Sequence, residues 1–221
     1  MKNKLISTVT LMIALLSLCT SVHAATECMF SQGYQIDLKY TQAIKLDNIQ
    51  PPAEGYARIS PDYLFEPTAT VTSTCNNGPD GQALQAKDNS GGEDLDQYTT
   101  EDGKQVLLFN TTTSGIYYAV GIIDGVCSEV TGFIPPDASY TTLHNVSDAD
   151  DKKCMKTDTP WKFKVAFFVG TKYNPSKTGG FTSNVIGDHG AFHISGTTGD
   201  VKPYDVLVKA VQITGNITSS Q

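Results

Sequence analysis

Two compact apolar runs in the middle of the chain constrain its fold more than any other feature. They are Val106–Phe109 and Ile116–Ile123, and a Thr/Ser/Gly-rich segment separates them. Both runs are rich in aliphatic and aromatic residues and too short for an ordinary helix, so they predict two strands joined by a turn. Almost every residue of the second run is apolar, a pattern typical of a strand buried on both faces. We therefore expect Ile116–Ile123 to be the central strand of a sheet.

Three further segments have the alternation of apolar and polar residues that indicates half-buried strands. Tyr34–Tyr40 alternates without a break, and Trp161–Val169 places an apolar residue at every second position. The alternation of Tyr204–Ile213 slips near Ala210, as at a β-bulge. The Asn-Gly and Asp-Gly pairs of 76–81 predict a turn. Short strands separated by turns predict an all-β, immunoglobulin-like β-sandwich.

The first 24 residues have the three parts of a secretory signal peptide. Lys2 and Lys4 supply the basic start, Leu11–Leu18 is the apolar core, and Val22–Ala24 fits a signal-peptidase site. No later run approaches the roughly 20 apolar residues that span a bilayer. We expect residues 25–221 to be exported through the periplasm as a single domain without a membrane span.

Four of the five cysteines follow the signal peptide. An even number in an exported chain predicts two disulfides, and four cysteines allow three connectivities. We prefer Cys28–Cys75 and Cys127–Cys154, because each loop then stays within one half of the chain. A cysteine-based zinc site is the alternative, but the chain has no C-x-x-C pair.

Charge and motif content exclude several classes of function. The chain carries a formal charge of −7 at pH 7 and a single arginine, Arg58, so it lacks the clustered cations that bind nucleic acid. It has no nucleophile elbow, P-loop, dinucleotide fingerprint or H-E-x-x-H motif. We therefore predict that the chain is not an enzyme and that it does not bind nucleic acid.

Two motifs resemble those of a known family. Ser114–Tyr118, followed by an apolar strand and Cys127, resembles the Gly-Ile-aromatic strand of bacterial chaperone-usher fimbrial adhesins and minor pilins. Asp158–Trp161 is similar to the Asp-x-Pro-Trp that opens a strand in the receptor-binding domain of two-domain tip adhesins. The resemblance implies a place on the fimbriae at the cell surface. It also implies a periplasmic chaperone, an usher and other fimbrial subunits as partners.

The resemblance leaves two functions open. In the first, which we favour, the chain is an adhesin that binds a host glycan or surface receptor. In the second, it is a structural or adaptor minor pilin subunit that contacts only its neighbours in the fibre. Pilin domains of this family close with an alternating strand and an aromatic residue, whereas this chain closes with Ile217–Gln221. The stretch 25–30 likewise lacks a long alternating donor strand.

Polar loops held by a rigid sandwich are the expected place for a receptor site. We predict such loops within Gln82–Lys104, whereas the proline-punctuated stretch 51–67 predicts an irregular excursion. Glu93–Tyr98 and Tyr140–Asp148 combine tyrosine rings with side chains that can hydrogen-bond to sugar hydroxyls, and the alternative is that both are solvated connections. The candidate receptor-binding residues are Asp94, Asp96, Tyr98, Tyr140, His144 and Asn145.

The sequence predicts no cofactor, with zinc as the alternative. His144, His189 and His193 are the candidate ligands. In an extended strand the last two would lie roughly 13 Å apart, so a shared ion requires the chain to fold back at Gly190. The acidic run Asp148–Asp151 lacks the spacing of a calcium loop and is expected to be a solvated charge run.

Overall fold

The computed structural model describes residues 28–75, 82–91, 95–147, 153–185, 187–195 and 203–219. These residues form seventeen strands and no helix. The first nine strands are β1 (Met29–Phe30), β2 (Tyr34–Lys39), β3 (Ile44–Asp47), β4 (Tyr56–Arg58), β5 (Tyr63–Pro67), β6 (Ser73–Thr74), β7 (Ala83–Asp88), β8 (Asp96–Thr99) and β9 (Gln105–Asn110). The other eight are β10 (Ile116–Ile123), β11 (Thr131–Phe133), β12 (Thr141–Asn145), β13 (Lys162–Gly170), β14 (Gly179–Thr182), β15 (Gly190–Ser195), β16 (Val206–Gln212) and β17 (Thr214–Thr218).

Twelve of the strands form one sheet that curls over a common core. Its strands follow the order β12-β7-β15-β16-β2-β5-β13-β10-β9-β8, with β4 added to β13 and β11 added to β10. The small sheets β1-β6 and β14-β17-β3 complete the described fold. Both halves of the large sheet contribute side chains to the same apolar cluster. The prediction of an all-β, immunoglobulin-like sandwich is therefore confirmed.

Strand β10 is the central strand that its composition predicts. It pairs with β13 along one side and with β9 and β11 along the other. Tyr118 and Val120 point into the main core, whereas Tyr117 and Ala119 belong to a second apolar cluster on the opposite face of the sheet. All residues of β10 except Ile123 are buried. An uninterrupted apolar run is thus explained by burial on both faces.

The tryptophan that precedes β13 joins two parts of the core. Trp161 is 2% exposed, and its Nε1 donates a hydrogen bond of 2.7 Å to Ser73 Oγ. The ring of Phe30 meets the indole edge-on, with 5.2 Å between ring centroids. Trp161 therefore packs in the core, as its place on the apolar face predicts.

Two parallel pairings connect the beginning and the end of the described chain. Strand β16 pairs with β2, and β17 pairs with β3. The register of β16 shifts between Val208 and Ala210, which confirms the bulge predicted from the slip in alternation. Through these pairings the last strands close the sandwich against the first ones.

Both preferred disulfides are present, Cys28–Cys75 and Cys127–Cys154. The second is held by a buried carboxylate. Asp124 Oδ2 accepts hydrogen bonds from the backbone N–H groups of Val126 and Cys127, and Oδ1 accepts one from Met155 N–H. One carboxylate thus connects the backbone beside both cysteines of this disulfide.

Three predictions of irregular structure are wrong. The stretch 51–67 contains β4 and β5, Gln82–Lys104 contains β7 and β8, and Tyr140–Asp148 contains β12. The inward residues of β7 include the small Ala86, which lies opposite the large Phe192. A small residue at an inward position makes the apolar–polar alternation of β7 hard to recognise in the sequence. Within the described residues β8 and β12 each pair with one neighbour only, and such edge strands tolerate polar residues.

Several sequence predictions lie outside the described residues. They concern the signal peptide 1–24, the turn 76–81, the acidic run Asp148–Asp151 and the candidate residue Asp94. Within the described part of the chain, no helix has the length and apolar character needed to cross a membrane.

Candidate functional site

Two of the predicted receptor residues lie in β8 rather than in a loop. The Tyr98 ring packs on Phe168 with 5.0 Å between centroids, on the face of the sheet opposite the main core. Asp96 lies on the same face, beside the hydroxyls of Tyr56 and Tyr117, and its carboxylate helps to raise the pKa of both tyrosines. Burial, followed by the contact with Asp96, raises the pKa of Tyr117 to about 12. Both predicted residues are half-buried and have partners within the sheet.

Tyr140 belongs to a different cluster, which lies over β7 and β15. Its ring stacks on His193, with 3.5 Å between centroids and 15° between ring planes. Its hydroxyl donates a hydrogen bond of 2.6 Å to Asp205, and Lys87 Nζ lies 4.8 Å from the ring centroid. Burial, together with the Asp205 carboxylate, raises the pKa of Tyr140. The tyrosine is therefore a half-buried member of a stacked polar cluster.

His144 and Asn145 lie at the end of β12, where the strand contains a bulge. The register against β7 shifts between Thr142 and His144, so that Leu143 turns into the main core. His144 is half-buried and Asn145 is exposed. Bulges redirect side chains and are common beside functional sites.

The three candidate zinc ligands do not form a common site in the described residues. His189 is fully buried, its Nε2 lies 2.7 Å from the Tyr118 hydroxyl, and its Nδ1 lies 2.9 Å from the Gly187 carbonyl oxygen. His193 uses its two nitrogens for Gln85 and Asp205. Burial lowers the pKa of both His189 and His193.

Only one group of three described His, Cys, Asp or Glu side chains brings its ligand atoms within 4.8 Å of one another. It consists of Asp124, Cys127 and Cys154. Both cysteines are in a disulfide, so they offer no thiolate to a metal ion.

Two neighbouring clefts lie between the predicted receptor regions, at the open edge of the sandwich. One has a volume of about 300 Å³ and the other of about 350 Å³, and both are lined by Gln105, Pro136 and Asp137. We call the pair the edge groove. Its other lining residues are Asp88, Leu95, Gln97, Gly103, Lys104, Leu107, Pro135, Ala138, Thr141, Thr142 and Leu143.

The edge groove brings together the neighbourhoods of both predicted regions, although it is not lined by the predicted residues themselves. Leu95 and Gln97 alternate along β8 with Asp96 and Tyr98, which point to the other face. Thr141 and the two residues after it follow Tyr140 in the chain. The edge groove therefore lies beside both predicted regions, and its lining consists of other side chains.

Backbone contacts hold the segment between the rims in place. Asp88 N–H donates to the carbonyl oxygen of Asp137, and Leu107 N–H donates to that of Ile134. Lys104 Nζ reaches across to the Leu143 carbonyl oxygen at 2.9 Å. The segment 134–138 is thereby tied to both ends of the curled sheet, and the groove has a fixed floor.

A pair of prolines could have revealed this segment. Pro135 and Pro136 follow β11 after one intervening residue, Ile134, and proline has no N–H group to donate to a sheet. The pair therefore marks the point where the chain leaves β10 and crosses towards β7. Gln97 and Gln105 give no such signal, since an exposed glutamine in a strand is unremarkable in a sequence.

The groove is suited to binding by hydrogen bonds. Its amides, hydroxyls and carboxylates lie beside apolar proline and leucine surfaces, which is the composition of ligand sites with few convergent polar groups. Its described lining contains no histidine, cysteine or serine. A third cleft, of about 380 Å³, is built from two turns and includes Lys172 and Lys177, but neither predicted region contributes to it.

Comparison with known proteins gives structural likenesses. No family model matches the sequence, and no curated protein matches it. The structure is similar to that of the adhesin AtfE of the ambient temperature fimbriae of Proteus mirabilis, with a TM-score of 0.44 and 16% identity over 84% of this chain and 99% of the other. It is also similar to the receptor-binding domain of the plasmid-borne adhesin MrkD1P of Klebsiella pneumoniae, with a TM-score of 0.36 and 12% identity over 89% of this chain and 97% of the other. Both are adhesins, the class of protein that the sequence motifs of this chain resemble.

Proposed function

We propose that the chain is a fimbria-associated adhesin that attaches bacteria to a host surface by binding a glycan or another surface receptor in the edge groove. The observation that carries this proposal is the convergence of the two polar regions on one groove. Gln97 on β8 and Thr142 on β12 face it from opposite rims. Exposed hydrogen-bonding side chains on a rigid frame are what a receptor site requires.

The proposal also implies how the chain reaches the cell surface. Two disulfides are typical of a chain that folds in an oxidising compartment such as the periplasm. A periplasmic chaperone, an usher and other fimbrial subunits would carry the exported chain to the fimbria. The protein would then act by cell adhesion and carbohydrate or receptor binding, without catalysis and without a cofactor.

Single substitutions in the groove test the proposal. Gln97→Ala and Gln105→Ala each remove an exposed amide without opening the core. We expect each to weaken binding of protein-coated beads to host cells by about fivefold, the equivalent of one net hydrogen bond of about 1 kcal/mol. Gln35→Ala, an exposed glutamine on β2, is the matched control and should bind as the unaltered protein does. Unchanged binding in both groove variants would remove the edge groove as the receptor site.

A structural or adaptor subunit is the second candidate, and one observation favours it. Within the described residues β8 pairs only with β9, so its other edge is open to a strand from a neighbouring subunit. In that case the purified chain would bind no host surface and would bind fimbrial subunits through β8. A proline in place of Gln97 would block such pairing, because proline lacks the N–H group that a ladder needs.

A further inference from the structure

The outer side of the sheet carries aromatic rings that the edge groove does not use. Alternate residues of β9, β10 and β13 form a second apolar cluster, and every member of it comes from this one sheet. The partly buried rings of Tyr56, Tyr98 and Phe133 pack against it. We call these three rings, with Asp96, the outer face. The rings are half-exposed, so part of each is available to a ligand.

Close packing holds the rings in fixed orientations. Tyr56 meets Tyr117 edge-on at 5.4 Å between centroids. A side chain at Gly170 would place its Cβ about 2.9 Å from the Tyr56 ring, so this glycine leaves room for the ring to lie on the strand. At the other side, Lys164 Nζ lies 4.2 Å from the centroid of the Phe133 ring. Little side-chain freedom remains to be lost when a ligand binds.

The polar groups of the outer face are arranged for hydroxyl groups. The Asp96 carboxylate lies beside the hydroxyls of Tyr56 and Tyr117, so this part of the face presents the lone pairs of the carboxylate and of both phenolic oxygens. All of these free positions are hydrogen-bond acceptors. A ligand with several hydroxyl donors would satisfy them, whereas a ligand that offers only acceptors would not.

The cations of this face are already paired, which excludes an anionic ligand. Arg58 binds Asp62 at 2.7 Å, and Lys164 lies 3.4 Å from the other oxygen of the same carboxylate. Among the described residues of this face, these two cations are balanced by two carboxylates, Asp62 and Asp96. A sialylated or sulfated sugar would bring a negative charge close to Asp96 and gain no free cation.

We propose that the outer face is a second binding site, specific for neutral sugar residues, which would stack on the Tyr56 and Tyr98 rings and donate their hydroxyls to Asp96. A pyranose ring has an apolar C–H face and a rim of hydroxyls, and this face presents rings beside acceptors. The inference goes beyond the edge groove, since none of these three residues lines either cleft.

Nuclear magnetic resonance of the purified protein with isotope-labelled tyrosine rings tests the proposal directly. The probes are neutral oligosaccharides ending in mannose, galactose or N-acetylglucosamine, and a sialylated version of each. We expect at least one neutral probe to shift the ring signals of Tyr56 and Tyr98. The signal of the exposed Tyr204 is the internal control and should not move. Sialylation next to the binding residue should abolish the shifts.

Two variants separate this site from the groove. Asp96→Asn keeps the shape of the side chain and should lower the affinity for the shifting probe at least tenfold, whereas Gln105→Ala should leave it unchanged. If Asp96→Asn does not fold, the ring shifts of the unaltered protein decide the question alone. Absence of shifts with every neutral probe, shifts with sialylated probes only, or binding of a sugar-free protein ligand at these rings would each overturn the proposal. If the groove variants lose binding to cells while no neutral probe shifts the ring signals, the proposed adhesin function is retained and the second site is rejected.

Discussion

The carboxylate beside the second disulfide offers a sharp test of how this fold is held together. Asp124 is 2% exposed, and its two oxygens accept three backbone hydrogen bonds. Asp124→Asn keeps the shape of the side chain but replaces one oxygen by an NH₂ group, which cannot accept from an N–H group. If the amide oxygen takes the position of Oδ2, the Met155 N–H group loses its acceptor in a buried place.

The number of hydrogen bonds affected sets the expected loss of folding stability. A buried N–H group without a partner costs about 1–3 kcal/mol, and the remaining two bonds lose the extra strength of a charged acceptor. We expect Asp124→Asn to lower the free energy of unfolding by about 3 kcal/mol. For a domain of this size that corresponds to a fall in melting temperature of roughly 6–12 °C.

Thermal unfolding followed by circular dichroism under non-reducing conditions measures this loss. Asp158→Asn is the matched control, because Asp158 is exposed and an exposed substitution of this kind changes stability by at most about 0.5 kcal/mol. An Asp124→Asn protein that melts within about 2 °C of the control would refute the reasoning, since the three N–H groups would then need no carboxylate.

Three further predictions concern stability. Replacing Cys127 and Cys154 together by alanine should cost about 3.5 kcal/mol in urea unfolding, because the disulfide closes a loop with a sequence separation of 27; a cost below about 1 kcal/mol would contradict the chain-entropy estimate. Tyr118→Phe leaves the buried Nε2 of His189 without its partner and should lower stability by about 1–3 kcal/mol in thermal unfolding, whereas an unchanged melting temperature would mean that this bond contributes nothing. Burial lowers the pKa of His189 and His193 in the folded state, so their stabilising effect is complete above about pH 6.5 and is lost as the pH falls through the lowered pKa values. Melting temperatures measured between pH 7.5 and 5 should fall with pH, and a rise would show that these histidines gain protons on folding.

Residue patterns predicted the parts of the fold that depend on neighbours close in sequence. The two-sided burial of β10 follows from its apolar run, and the bulge in β16 follows from the slip at Ala210. The two disulfides were predicted from the even number of cysteines after the expected signal peptide, and their pairing from loop length; both pairs are present. In each case the prediction needed only a short segment of the sequence or the number of cysteines.

The candidate sites depended on contacts that no short segment records. The sequence marked Asp96 as a loop residue, whereas it lies in β8, beside the hydroxyls of Tyr56 from β4 and Tyr117 from β10. Gln105 lines both clefts only because 134–138 crosses from one end of the sheet to the other. Pairing between distant strands decides these positions, and polar edge strands carry little sequence signal for it.

Attachment of the purified protein to host cells tests the central claim most directly. Beads coated with the unaltered protein, with Gln97→Ala and with Gln35→Ala would be compared on the same cells after all three proteins are shown to melt alike. An adhesin that uses the edge groove predicts firm binding by the unaltered protein and by Gln35→Ala, with about fivefold weaker binding by Gln97→Ala. Binding no stronger than that of uncoated beads, for all three proteins, would contradict the adhesin function and favour a structural or adaptor subunit.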